Sequence, residues 1–304
     1  MSSAASLNRS AALASIAVAL LLVGLKVWAV FSTGSTAMLG SLADTALDLV
    51  ASLATLAGVW VAAQPDDENH RFGHGKAEAL AAMFQVVLIS ISALSLAFRA
   101  VDQWIAGARP EAAEGGIIVS GIAMLATVAL LAWQRYVIRK TKSLAISTDH
   151  VHYQSDILLN LAVIAALALD QYAGIAGADT FFGLAIAIWL GWGAWGASQQ
   201  AIEQLMDHEW PEERRKAFLE AVARHPEIKG LHDLRTRTSG NRDFVQFHLA
   251  INGDMTVRQA HVIMDEVEAI LNQEFPGVEI LIHPDPEGHI DPTDLSSQDL
   301  LPKV

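Results

Sequence analysis

Residues Ala37–Ala63 read AMLGSLADTALDLVASLATLAGVWVAA, an apolar run long enough to cross a bilayer that carries Asp44 and Asp48 four residues apart. A spanning helix needs about 20 residues, and each Asp at its centre costs about 2.5–3.5 kcal/mol to insert. A second run, Leu144–Leu169, repeats the spacing with His152 and Asp156. Residues i and i+4 share a helix face, so each pair aims two ligand groups one way, and two facing helices supply four. Four is the coordination number of zinc. Three such aspartates, at roughly 7–10 kcal/mol together, mark a functional site. A buried polar network that only ties two helices together is the weaker alternative.

Four more apolar stretches are long enough to span: Ala11–Phe31, Ala79–Ile105, Gly116–Trp133 and Phe181–Gln200. Arg9 ahead of the first gives it the look of a signal peptide, but five later spans make it a retained anchor. The fold expected for residues 1–206 is therefore a six-helix membrane domain. Lys and Arg collect on the cytoplasmic side of short loops. Arg71 and Lys76 follow the second span, and Arg135, Arg139, Lys140 and Lys142 follow the fourth, whereas Ser32–Thr36 and Asp170–Asp179 carry none. Arg109 after the third span is a mild exception, and both termini are expected in the cytoplasm.

Composition agrees: of 304 residues 52% are hydrophobic and only 17% charged, with a net charge of −13 that excludes a general nucleic-acid binder. With no cysteine, any metal site uses imidazole, carboxylate, carbonyl or water, which suits zinc, iron, manganese or cobalt rather than cuprous copper. Lys26 and Glu78 read as snorkelling or helix-end charges, and Trp189, Trp192 and Trp195 as packing and interfacial anchors.

After Met206 the chain turns charged. A helical pattern begins at Pro211 and runs through Ala223, followed by strand patterns at Leu231–Thr236 and Phe244–Ile251. An amphipathic helix at Val257–Leu271 and a strand at Val278–His283 complete a small α+β domain over residues 207–287. At this size it buries a modest core, and a second copy is a natural source of stability. Residues 288–304 are polar and proline-containing, and are expected to be a disordered tail.

Four segments together resemble the cation diffusion facilitator family, in particular its bacterial zinc and ferrous-iron efflux branch. They are Asp44-x-x-x-Asp48, the loop Asp67-Glu68-Asn69-His70-Arg71-Phe72-Gly73-His74-Gly75-Lys76, the run His152-Tyr153-Gln154-Ser155-Asp156, and His232-Asp233-Leu234-Arg235-Thr236-Arg237. The resemblance covers nearly the whole chain. It implies a homodimeric antiporter, not an enzyme, exporting divalent metal in exchange for protons, with a ferredoxin-like, metallochaperone-like cytoplasmic domain. Its transport site would be Asp44, Asp48, His152 and Asp156. It further implies a loop site at Asp67, His70 and His74 and a two-metal cytoplasmic cluster at His232, His248, His261, His283 and Asp285. A Lys76–Asp207 charge pair near the dimer interface completes what it implies.

From the residues alone the loop trio has an incidental reading as a solvated turn, and Glu68 leaves open which carboxylate binds. Scattered histidines in the soluble domain are more often surface or core residues. Pro284 departs from the glutamine common between the last two cluster ligands; its carbonyl remains, its side-chain contribution does not. His150 lies off the His152 face. Zinc leads as transported ion and as structural or regulatory ion, with iron, cadmium, cobalt and manganese open, because a His among three Asp favours a borderline metal over magnesium or calcium. The competing classes are a membrane-anchored metal sensor without transport and a membrane-embedded zinc hydrolase, which needs an open coordination position and a general base.

Overall fold

Prolines fall outside the long helices: Pro65 and Pro110 lie between them and the other seven of nine follow residue 210. That leaves six uninterrupted helices, as lipid demands, since it offers no partner for an open backbone group. The computed structural model describes residues 3–33, 36–106, 117–173, 178–289 and 300. Its helices are α1 (Ser3–Thr33), α2 (Thr36–Ala62), α3 (Ala77–Ala106), α4 (Ile117–Thr141), α5 (Leu144–Ala173) and α6 (Ala178–Leu205). Five of them, α1–α4 and α6, are long and apolar enough to cross a membrane. The other, α5, is 30 residues long but carries Asp149, His150, His152, Gln154 and Asp156 in its first half. Arg109 and most of the expected tail lie outside the described residues, although Leu300 N–H donates to Leu231 O at 2.8 Å.

Two compact units divide at Ile202/Glu203, close to the composition change after Met206. In the first, α2 packs against α1, α3 and α5, and α4 against α1 and α5. Helix α6 joins through Ile186, Leu190 and Ala194, which meet Val86, Ile89 and Ala93 of α3. At Gly58 of α2 a Cβ would sit 2.4 Å from Cβ of Ala81 and 3.0 Å from the Ala77 carbonyl oxygen, so only glycine lets α2 and α3 come this close.

The centre of the bundle is polar. Asp149 is fully buried and accepts from Ser15 Oγ at 2.7 Å, Gln134 Nε2 at 2.8 Å and Gln85 Nε2 at 3.0 Å. These donors come from α1, α4 and α3, so one carboxylate on α5 ties four helices. Tyr153 Oη donates to the Ser15 carbonyl oxygen at 3.1 Å and lies 2.9 Å from Ser52 Oγ, adding α2. Near the helix ends, Glu78 is buried rather than snorkelling and accepts from Asn8 Nδ2 at 3.1 Å and from Ser143 Oγ.

The second unit runs α7 (Glu212–Val222), β1 (Gly230–Ser239), β2 (Arg242–Ile251), α8 (Val257–Glu274), β3 (Val278–Pro286), the order read from the sequence. The sheet order is β1-β2-β3, with β1 antiparallel and β3 parallel to β2. Helix α8 starts at a capping box, Thr256 Oγ1 accepting from the Gln259 N–H while Gln259 returns a bond to the Thr256 N–H. Alternation sorts the sheet: Leu231, Val245, Phe247 and Leu249 join Phe218, Val267 and Leu271 in the core. The alternate residues, His248 among them, take the opposite face.

Candidate metal centres

Asp48 on α2 and His152 and Asp156 on α5 come together: one ligand atom from each lies within 4.8 Å of the others. The i,i+4 spacing puts His152 and Asp156 on one face of α5, and the α2–α5 packing turns that face toward Asp48. His152 Nε2 is 2.8 Å from Asp48 Oδ1, and His152 is buried. Zinc bonds of about 2.0–2.2 Å separate tetrahedral donors by roughly 3.3–3.6 Å, so metal entry moves this pair, now 2.8 Å apart, by about 0.5–0.8 Å. Asp44, one turn before Asp48, is not in the group; its Oδ2 faces Arg99 Nη1 of α3 at 3.4 Å. Lys26 Nζ of α1 donates to Oγ1 of the adjacent Thr45. Three ligands leave a fourth position that Asp44 or water can supply. His150 turns aside, its Nδ1 3.1 Å from Gln134 Oε1.

The loop between α2 and α3 gathers Asp67, His70 and His74. Asp67 Oδ1 accepts the backbone N–H of His70 at 2.7 Å and of Asn69 at 2.9 Å, an Asx-type turn that closes the loop. Asp67 lies 3.1 Å from His70 Nδ1 and 3.4 Å from His74 Nε2, with the imidazole rings 4.4 Å apart. The carboxylate brought to the histidines is thus Asp67, and Glu68 is not in the group. The His70 N–H holds the Asp67 carboxyl below its ordinary range, so it is anionic and ligand-competent at neutral pH.

The third group is built by strand register. His232 pairs with His248 across β1–β2, and His248 with His283 across β2–β3, so three histidines form a row over the sheet. Their rings are 5.2 and 4.6 Å apart, close to the strand spacing. Asp285, two residues after His283 and on the same face, is buried, with its oxygens 3.3 Å from His232 Nε2, 2.9 Å from His248 Nδ1 and 3.3 Å from His283 Nε2. Imidazole nitrogens around a buried carboxylate are a donor set that fits zinc. Pro284 is accommodated because β3 is an edge strand. His261 lies on α8, exposed and 3.5 Å from Asp265, apart from the row. Asp207 ion-pairs with Arg237 at 3.6 Å within the second unit.

Sequence reasoning did not single out Asp233, Arg99 or Asp149. Asp233 sits in a bulge where the pairing skips from His232/His248 to Arg235/Gln246, with φ 46°, and its Oδ2 is 3.9 Å from His248 Nε2. The bulge aims two successive residues toward one site, which alternation alone denies them. Arg99 and Asp149 had a usable signal, a charge inside a membrane-length helix.

Residues 12–206 match the family described as cation efflux transmembrane domain, and residues 210–287 match cation efflux protein, cytoplasmic domain. The Cation-efflux pump FieF of Cronobacter sakazakii is 42% identical over 276 residues, 91% of this chain and 92% of the relative. That of Serratia proteamaculans is 41% identical over 282 residues, 93% of this chain and 94% of the relative.

Proposed function

The chain belongs to the cation diffusion facilitator family of cation-efflux proteins, and from that premise we propose that it exports divalent metal cations, zinc foremost, in exchange for protons. The convergence of Asp48, His152 and Asp156 within the helical bundle carries this reading. Borderline donors of this kind suit zinc, iron, cadmium, cobalt or manganese over calcium or magnesium. Metal ligation requires ionised carboxylates and a neutral imidazole, so protons and metal compete for the same atoms. Protons arriving from outside displace the metal, and their release inside restores affinity.

In this reading the protein is an inner-membrane homodimer with both termini in the cytoplasm. The His232–His248–His283 row with Asp285 holds a regulatory or structural metal in the cytoplasmic domain. The Asp67, His70 and His74 loop is a second cytoplasmic site. Binding at the row acts on transport only through a difference in affinity between two states of the protein.

The test is zinc and proton flux in proteoliposomes under an imposed pH gradient. Opposed zinc and proton movement that vanishes in Asp48→Ala and only weakens in His232→Ala supports the reading. Zinc binding without movement of either ion overturns it in favour of a sensor.

A further inference from the structure

Asp44, the fourth residue of the proposed transport site, is engaged by a cation that belongs to the chain. Its Oδ2 lies 3.4 Å from Arg99 Nη1, while Asp48, His152 and Asp156 gather without it. Arg99 lies within the apolar stretch Ala77–Ile105 of α3. An ionisable residue there is costly unless it is paired or has a function. The contact is a single long hydrogen bond rather than a two-point fork, and the two side chains are 60% and 56% exposed. A one-point contact of this length is weaker than a bidentate one, and a divalent ion with three ligands in place can take the carboxylate from it.

Resting on the transport-site reading above, we propose that Arg99 is a tethered counter-cation that holds Asp44 when the metal is absent and yields it when the metal enters. Loading is then an exchange of cations on one carboxylate: the guanidinium leaves and the metal arrives. Arg99 is a positioning residue for Asp44. It lowers metal affinity, because part of each binding event is spent breaking the pair, and it assists release by reclaiming the carboxylate. An empty site also keeps one of its three aspartates compensated within the membrane.

Two comparisons decide it, both read as initial zinc uptake against zinc concentration in proteoliposomes. Arg99→Gln should lower the half-saturating zinc concentration about three- to tenfold and lower the maximal rate, whereas Arg99→Lys stays within about twofold of the parent. A merely structural role would not tighten binding. Because the chain has no cysteine, Arg99→Cys supplies a single thiol. Its adduct with a cationic methanethiosulfonate should need a several-fold higher zinc concentration than its adduct with neutral methyl methanethiosulfonate. The adducts compare two charges in one folded protein, so they decide the matter even where Arg99→Gln folds poorly. Equal half-saturation for the two adducts, or no fall in a well-folded Arg99→Gln, overturns the exchange. Asp48→Ala is run beside them. If it keeps parental flux the transport-site reading itself fails, and if it is inert while the two adducts behave alike, only the exchange fails.

Discussion

Replacing Asp149 with alanine removes the acceptor on which four helices converge. Ser15, Gln85 and Gln134 donate to it at 2.7, 3.0 and 2.8 Å, and no part of Asp149 is exposed. Interhelical hydrogen bonds in membranes average about 0.6 kcal/mol and reach about 1.7, so three sum to roughly 2–5 kcal/mol. Gln134 Nε2 still reaches Ser15 Oγ at 3.0 Å after the substitution, which brings the expected loss to the lower half, about 2–3 kcal/mol. Asp149→Asn keeps one acceptor oxygen but points an amide toward donors, and should cost about 1–2 kcal/mol. The assay is thermal unfolding of the detergent-solubilised full chain without added metal, so that ligand binding does not mask the loss. At about 2–4 °C per kcal/mol, alanine lowers the midpoint by roughly 4–12 °C, with asparagine between it and the parent. Alanine and asparagine variants both melting with the parent would refute the hub.

Other perturbations test the packing and the soluble row. Gly58→Ala puts a methyl group 2.4 Å from Cβ of Ala81, so α2 and α3 must part at a cost of about 1–3 kcal/mol, visible as a lower melting midpoint. Zinc at a hundredfold excess over its Kd should add about 2.7 kcal/mol of protection to the second unit. That protection, read by amide hydrogen exchange in 230–251 and 278–286, should be lost in Asp285→Ala, and its persistence would remove the row as a metal site. Thr256→Ala breaks the capping box of α8 and should cost about 1 kcal/mol, seen as faster exchange in the first turn of that helix.

The bundle was legible because apolar stretches of membrane length admit one backbone solution, the helix. The elements of the soluble unit were legible for a different reason: strand alternation and the amphipathic pattern of Val257–Leu271 are local. The i,i+4 pairs indicated a shared face for His152 and Asp156, and Asp48 does meet them. What local pattern does not carry is partner choice. Asp44 shares the spacing of Asp48, yet its contact is Arg99, 55 residues away on another helix. The histidine row depends on the register of three strands and on a bulge at Asp233, neither of which the alternation of single strands encodes. Likewise Glu78 reads as a helix-end charge, but its burial follows from Asn8 and Ser143 being brought to it by tertiary packing.

The claim on which the rest depends is that Asp48, His152 and Asp156 hold the transported metal. Zinc K-edge absorption of the full chain carrying His70→Ala, His74→Ala, His232→Ala and Asp285→Ala addresses it with the other two groups disabled. The prediction is one bound zinc with a single imidazole nitrogen and otherwise carboxylate or water oxygens at about 2.0–2.2 Å, lost on adding Asp48→Ala. A shell that persists unchanged in Asp48→Ala, or no zinc bound before it is introduced, would contradict the account.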